Sequence, residues 1–559
     1  MSSALSRITA LGIITLLLIS CGGGSDNAGA DATAAATTVG GSSSSSSSGA
    51  TSSLGVTTDV LTYHNDSMRT GQNLTETTLT PVNVKSTSFG LLRLLSTDDP
   101  VDAAPLVASG LTVNGGTHNV LYVATEHDSV YAFDADTGAQ LAKVSLLGSG
   151  ESPSDTRSCS QVSPEIGITA TPVIDRSAGP NGTLYVVAMS KDSSSNYHQR
   201  LHALDLVSLA DRVPAVAVAA TYPGSGVNSA NGVQTFDPKQ YKERGALLLL
   251  NGQIYTVWAS HCDAEPYNGW IVAYDETSLT QTAALNLTPN GTEAAIWDVA
   301  GLVADSSGFL YALMANGTFD TTLNASGLPG QGDYGNSALK FTAGATTLSV
   351  TDYFTTDNTV AESNTDTDLG SGSPMALPDQ VDATGATRHL LIGGGKDGNL
   401  LLLDRDNMGK FNAGSDPAYQ LLSSALPGGL YSAAAYFHGS VYIANTGGTL
   451  KAFTLSQALL PAVPNSQSSA TFSYPGTSPA ISANGSTNGV VWAVLSSGGA
   501  AAVLHAYNPA NLAQEYYNST QAANGRDGFG NGEKFITPVI ANGKVFVGTP
   551  SGVAVFGLL

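Results

Sequence analysis

One hairpin unit, written over and over, constrains this chain more than any other feature. The copy nearest the C-terminus is the plainest. Thr537-Pro538-Val539-Ile540 is followed by Asn542-Gly543, then Lys544-Val545-Phe546-Val547-Gly548-Thr549, then Pro550-Ser551-Gly552, then Val553-Ala554-Val555-Phe556. Asn-Gly between alternating apolar runs marks a β-hairpin. The same grammar recurs at residues 119–134, 183–205, 253–275, 309–341, 389–404, 440–453 and 490–507, which makes eight copies.

A unit of about four strands repeated this often makes a propeller. Each small sheet can bury its faces only against its neighbours, so the ring must close. The expected fold is all-β, a single propeller over residues 59–559 built from four-stranded antiparallel blades, eight preferred over seven. The copies are spaced more widely than the ~40–50 residues of a compact blade. Insertions are therefore expected, with 214–242 and 354–372 as two of them. The last copy reaches Leu559 after three strands. The segment Phe89–Leu95, ahead of the first copy, is expected to supply the fourth strand and lock the ring.

Charged residues make up 12% of the chain, the formal net charge is −22, and there are 62 glycines. Such a chain lacks the basic face that nucleic acid or an anionic lipid surface requires. Its composition suits turn-rich β structure. The expected state is a monomer.

The N-terminus gives an address. Arg7 precedes an apolar run from Leu11 to Ile19, and Leu18-Ile19-Ser20-Cys21-Gly22 matches a bacterial lipobox. The run is about half the roughly 20 residues needed to cross a bilayer and has the layout of a signal peptide. Residues 1–20 are therefore read as a lipoprotein signal peptide, with Cys21 as the lipidated residue and the membrane as its first partner. Several acyl chains make such anchoring stable. Gly22, rather than Asp, after Cys21 favours the outer membrane of a Gram-negative cell, on its periplasmic or surface-exposed side. Residues 21–58 are Gly, Ala, Ser and Thr with little else. They are expected to form a disordered tether, about 35 residues with a span on the order of 30–35 Å. Of the other two cysteines, Cys159 precedes the second inner strand and Cys262 lies in a turn of the third blade. They form a candidate disulfide in an oxidising compartment.

Asp134-Ala135-Asp136-Thr137-Gly138, after Val130-Tyr131-Ala132-Phe133, resembles the repeat signature of the pyrroloquinoline-quinone (PQQ) type propellers. Further blocks resemble the PQQ-like propeller proteins of bacteria. They are Tyr63-His64-Asn65-Asp66 with Arg69-Thr70-Gly71-Gln72-Asn73, residues 124–134, Ala259-Ser260-His261-Cys262-Asp263, Gly317-Thr318-Phe319-Asp320, and Gly395-Lys396-Asp397-Gly398 leading to Asp404-Arg405-Asp406-Asn407. The resemblance covers roughly residues 60–559 and implies the fold. It is nearly silent on activity.

In a four-stranded blade, the lead-in to the inner strand and the turn between strands two and three share one face. Glu126, His127, Asp128, Lys191, His261, Asp263, Asn316, Lys396, Asp397 and Asn445 are expected to converge there, with Trp297 and Asp298 pointing the same way. These are the candidate binding-rim residues, on the face where PQQ enzymes hold their cofactor. No catalytic residue is assigned. Under the enzymatic reading, carboxylates hold Ca²⁺, a Trp stacks on PQQ and an Asp acts as base toward an alcohol or sugar. Against it, the sequence has no vicinal Cys-Cys pair and no CxxCH haem motif. Under the other reading, the same side chains form turns and hydrogen bonds between blades. His127 and His261 are read as packing residues rather than a metal pair, and no metal site is assigned. Asp404-Arg405-Asp406-Asn407 is read as a turn with an internal salt bridge rather than a Ca²⁺ loop.

The leading expectation is a non-catalytic binding or scaffolding platform at the cell envelope, with a protein or glycan as partner at the propeller face. The alternative is a PQQ-dependent oxidoreductase acting on alcohols or sugars. Cofactors are expected only under that alternative.

Overall fold

The structure is a computed structural model describing residues 57–559. The signal peptide 1–20, the lipidated Cys21 and nearly all of the tether 21–58 lie outside the described residues. Among the described residues, eight sheets each carry four antiparallel strands, with a few short added strands. The innermost strands are Leu106–Val113, Val173–Asp175, Leu248–Leu250, Val303–Ala304, Met375–Ala376, Ala435–Phe437, Ala480–Asn484 and Val539–Ala541. We number the blades 1 to 8 in that order. Every repeated copy supplies the second and third strands of its blade. No helix of the described residues is long and apolar enough to cross a membrane.

The ring closes as its ends suggest. Phe89–Ser96 lies antiparallel to Gly552–Leu558, with Leu95 opposite Val553 and Arg93 opposite Val555. A register shift between Leu91 and Arg93 leaves Leu92 out of the ladder. Blade 8 is thus one sheet made of strands from opposite ends of the propeller.

Repeat chemistry joins the blades. In the second strand, a tyrosine of the Leu-Tyr-Val type reaches across to the next blade's turn. Tyr122 Oη donates to Leu206 O at 2.5 Å, Tyr185 Oη to Glu276 O at 2.9 Å and Tyr442 Oη to Pro509 O at 2.9 Å. In the signature turn, Asp134 Oδ1 accepts the amides of Asp136 and Thr137, and Gly138 takes φ +81°.

The axis is filled by a segment whose role the repeat grammar does not announce. Residues 60–73 run through the ring and bond to the inner edge of every blade. Val60 exchanges both backbone bonds with Val107 of blade 1, and Leu61 O accepts from Ile174 of blade 2. Arg69 Nη2 donates to Leu247 O, just before the inner strand of blade 3. Ser67, Met68, Thr70 and Gly71 carbonyls accept from the amides of Ala304, Ala376, Tyr436 and Ile481, in blades 4 to 7. Asn73 Nδ2 donates to Ile540 O of blade 8. Arg69 is 0% exposed. Its guanidinium also donates to Leu302 O, Tyr63 O and Thr62 Oγ1. Gly71 sits at φ +67°, and a Cβ there would approach the His64 ring to 3.1 Å and Ala435 Cβ to 3.2 Å.

Two expectations need correction. The 214–242 stretch is not wholly an insertion. Val216–Ala217 is the outer strand of blade 2, and Tyr241–Glu243 pairs with the top of the second strand of blade 3. Only the hairpin Thr221–Pro223 with Val233–Thr235 is extra. The Asp404–Asn407 turn holds no internal salt bridge. Arg405 turns inward and pairs with Asp305 of blade 4 at 2.7 Å, with both side chains buried. Asp406 faces His389 instead.

Arg69→Met tests the axial segment. It leaves three buried carbonyls and the half-buried Thr62 hydroxyl without their donor, at a cost of ~1–3 kcal/mol for each that water fails to reach. The expected loss in urea unfolding is about 4 kcal/mol, with Arg69→Lys intermediate because an ammonium cannot reproduce the planar fork. A loss within ~0.5 kcal/mol, as for an ordinary surface change, contradicts the role given to Arg69.

Candidate functional site

A cavity of ≈310 Å³ opens on the face that carries the inner-strand lead-ins. That volume is at the lower end of the ~300–1,000 Å³ typical of small-molecule sites. Nearly every blade contributes to it. Gln161 and Val162 come from the excursion before blade 2, Lys242 and Arg244 from the lead-in to blade 3, and Ser260 to Asp263 from its turn. Trp297, Asp368, Tyr431, Tyr474 and Phe535 come from the lead-ins to blades 4 to 8, and Lys396 from the turn of blade 5. Beneath it, toward the axial segment, lies a polar void of ≈20 Å³ lined by Tyr63, Asp102, Thr171, Arg244 and Thr537 among others. It has room for about one water.

The cations are held differently from one another. Lys396 Nζ contacts Asp368 Oδ2 at 2.8 Å and Asp366 Oδ1 at 2.6 Å. Burial works against its ammonium, but those two carboxylates outweigh burial and raise its pKa above the ordinary lysine value. Lys242 is buried and donates to Thr169 Oγ1, and burial lowers its pKa. Arg244 lays its guanidinium 3.6 Å from the Phe535 ring centroid, and its buried Nε has no partner among the described residues. A guanidinium stays charged in proteins, so Arg244 presents an uncommitted cation to the cavity. Trp297 forms part of the wall, its Nε1 donating to Asp368 Oδ2 at 3.3 Å.

One wall is covalent. Cys159 and Cys262 are bonded, with Cα atoms 6.3 Å apart and a sequence separation of 103. The bond ties the excursion before blade 2 to the turn of blade 3. Closing a loop of that length contributes up to about 4.7 kcal/mol in the chain-entropy model. His261, between them in space, donates from Nε2 to Thr156 O at 2.9 Å, and burial pushes its pKa down to about 4.

The structure divides the candidate rim residues. His261, Asp263, Trp297 and Lys396 line the cavity. Glu126, His127, Asp128, Asp298 and Asp397 do not. Glu126 is fully buried and accepts from Gly167 N at 2.8 Å and Thr169 Oγ1 at 2.6 Å. His127 pairs with Glu165, well away from His261 in partnership. Asp128 is buried, and burial together with the charge of Glu126 raises its pKa. Asp397 accepts from Asn399 within its own turn. Lys191 is tied to Asp155, Asn316 donates to Glu293, and Asn445 is buried in its turn.

Asp298 corrects the expectation that it shares Trp297's direction. Asp298 opens a bend, and its carboxylate folds back onto the backbone of that bend. Asp298 is 2% exposed and accepts the amides of Ala300 and Gly301 at 2.9 and 3.1 Å, with Oδ2 left unpartnered. Burial pushes its pKa up to about 7.

The donor set speaks to the cofactors of the enzymatic reading. An indole and three cations are suited to a planar polyanion such as PQQ. Ca²⁺ takes about six to eight oxygen donors, from carboxylates, carbonyls and water. Among the described residues, the only three His, Cys or acidic ligand atoms within 4.8 Å of one another belong to Cys159, His261 and Cys262. Two of those are the disulfide sulfurs. Asp368 is occupied by Lys396, Trp297 and the Asn316 amide. The lining suits the quinone, and among the described residues no three acidic ligand atoms lie within 4.8 Å of one another.

Asp298→Asn reads out the buried carboxyl. The folded state keeps Asp298 protonated up to about pH 7, whereas an ordinary carboxyl ionises near 3.8. Between those values the native state binds the extra proton, so its contribution to stability falls as pH rises through that window and is constant above it. Asparagine keeps the acceptor for both amides and does not titrate. In urea unfolding across a pH series, the variant is expected to gain on the parent from pH 4 to 7 and to run parallel above. A difference that does not change with pH contradicts the assignment.

No protein-family model matches the sequence, and no curated protein matches it. Solved structures do match in fold. The quinohemoprotein alcohol dehydrogenase ADHIIG from Pseudomonas putida HK5 superposes with a TM-score of 0.57 at 13% identity, covering 89% of this chain and 80% of that one. The quinohemoprotein alcohol dehydrogenase from Comamonas testosteroni gives 0.56 at 14% identity, with the same coverage. A europium-containing methanol dehydrogenase gives 0.56 at 11% identity, covering 89% of this chain and 98% of that one. The chain is therefore an eight-bladed β-propeller with the fold that these quinoprotein dehydrogenases share.

Proposed function

We propose that the chain is an outer-membrane lipoprotein, anchored through Cys21, whose propeller is a non-catalytic binding platform with the axial cavity as its recognition site. The observation that carries this reading is Arg244. Its guanidinium lies on the Phe535 ring, with no hydrogen bond or ion pair among the described residues, in a cavity that also contains Trp297 and Lys396. An uncommitted guanidinium beside an indole suits a small planar molecule bearing a carboxylate, gripped by charge-assisted hydrogen bonds and stacking. Of the two carboxylates in the cavity, Asp368 is held by Lys396, Trp297 and the Asn316 amide, and Asp263 accepts from Tyr267 Oη at 3.3 Å.

A second reading is a quinoprotein oxidoreductase. The fold likeness and the cation-and-indole lining favour it. The absence of a gathered set of calcium donors among the described residues weighs against the calcium-dependent form.

One experiment separates them. The purified full chain is mixed with PQQ, with and without Ca²⁺, and passed over a sizing column. Bound quinone absorbance and dye reduction on an alcohol panel are then measured. The platform reading predicts retention that is indifferent to Ca²⁺, at least about tenfold weaker in Arg244→Gln, in line with loss of roughly 1.5–3 kcal/mol for a hydrogen bond to a charged group, and no dye reduction. Turnover that requires Ca²⁺ overturns it in favour of the enzyme. The anchor is tested in parallel: Cys21→Ser is expected to move the protein from the membrane to the soluble fraction.

A further inference from the structure

A lysine kept only for its charge is set against carboxylates. Lys396 is such a residue, with Asp366 and Asp368 on its Nζ. Lys242 is held differently. It is 7% exposed, makes no ion pair among the described residues, and gives its hydrogen bond to the Thr169 hydroxyl. Burial lowers its pKa, and the nearby charges of Glu126 and Asp102 work the other way and are outweighed. Burial without a counter-charge favours the neutral amine, which is the nucleophilic form of lysine.

Its position adds the geometry. Lys242 and Arg244 are alternate residues of the lead-in to blade 3, and both line the axial cavity, whereas Glu243 between them does not. Thr169, which holds the Lys242 amine, lines the ≈20 Å³ void beneath the cavity together with Arg244. The amine and the guanidinium are thus brought to the same end of the cavity. Alternate residues of extended chain start ~6–7 Å apart, so these two side chains can close on one short ligand. A proton route completes the arrangement. Thr169 Oγ1 donates to Glu126 Oε1 at 2.6 Å while it accepts from Lys242, and both Thr169 and Glu126 are buried.

We propose that Lys242 condenses with the carbonyl of a 2-oxo acid whose carboxylate sits on Arg244, so that the axial cavity captures its ligand as a reversible imine. This inference rests on the reading of that cavity as an anion site, and it names the ligand class. The Lys242 ammonium first passes a proton through Thr169 to Glu126. The free amine then attacks the carbonyl carbon. The N–C bond forms, the C=O π pair moves to oxygen, and a proton moves from nitrogen to that oxygen. Glu126 returns its proton to the new hydroxyl by the same route. The C–O bond breaks, water leaves, and a protonated C=N bond remains. Nothing is oxidised or reduced, and one water reverses the step.

The test is reductive trapping. The full chain is incubated near neutral pH with 2-oxobutyrate, or with its uncharged counterpart butanone. Cyanoborohydride supplies the hydride that makes an imine permanent. Peptide mass spectrometry then gives the rate of modification at each lysine, with the exposed Lys85 and Lys239 as references. Lys242 is expected to react with 2-oxobutyrate at least about tenfold faster than either, since each pKa unit below the ordinary lysine value raises the neutral fraction about tenfold near neutrality. This comparison is made within the parent protein and does not depend on the folding of a variant. Arg244→Gln is expected to slow 2-oxobutyrate at Lys242 about tenfold, in line with loss of a hydrogen bond to a charged group, and to leave butanone unchanged. The proposal is overturned if Lys242 reacts no faster than the reference lysines. If 2-oxobutyrate then still binds by calorimetry and loses affinity in Arg244→Gln, the imine has failed and the anion reading stands. If butanone modifies Lys242 as fast as 2-oxobutyrate does, the anion reading fails, and the 2-oxo acid with it.

Discussion

Fourteen residues on the axis hold eight sheets together. A ring of blades leaves the inner edge of each innermost strand facing a central channel, with backbone donors and acceptors that must be paired or hydrated. Residues 60–73 answer every one of those edges, by main chain in six blades and by the side chains of Arg69 and Asn73 in the other two. Blade-to-blade packing fixes each sheet only against two neighbours. The axial segment relates all eight at once. Arg69 is the centre of that arrangement, since one buried guanidinium reaches the lead-ins to blades 3 and 4 and folds the segment back on Tyr63 and Thr62.

The position of the cavity follows from this. The axial segment lies below the small void under the cavity: Tyr63 lines that void, and its hydroxyl meets Thr537 Oγ1 at the lead-in to blade 8. With the channel stopped, lead-in residues from the surrounding blades converge over a closed bottom rather than around an open pore. The disulfide then ties the excursion before blade 2 to the turn of blade 3. Without that floor, Arg244, Trp297 and Lys396 would line a channel. With it they line a pocket of ligand size.

Most of the architecture was legible because propeller grammar is local. Alternating apolar residues and Asn-Gly or Asp-x-x-x-Gly turns specify each hairpin from a dozen neighbouring residues. The closing strand was legible too, because the last copy runs short by one. What escaped was non-local or depended on facing. Tyr63 to Asn73 stood out as a block, but nothing in its composition says that its carbonyls meet strands as far along the chain as Ile481. Arg405 pairs with an aspartate a hundred positions earlier rather than with the acids beside it. Lys242-Glu243-Arg244, three consecutive charges in a sparsely charged chain, was a usable signal. Read with the period of two proper to a strand, Lys242 and Arg244 fall on the cavity side and Glu243 on the other, which is where the structure has them.

Hydrogen exchange of the inner-strand amides tests the axial segment most directly. Ala304, Ala376, Tyr436 and Ile481 belong to four different blades and donate to four carbonyls of one continuous stretch of chain. If that stretch unites the ring, their amides open only when it leaves. They should then exchange as one group, at a common rate set by the same cooperative opening. Exchange at four unrelated rates, each tracking its own blade, would show that the blades stand without the axis and would contradict the account.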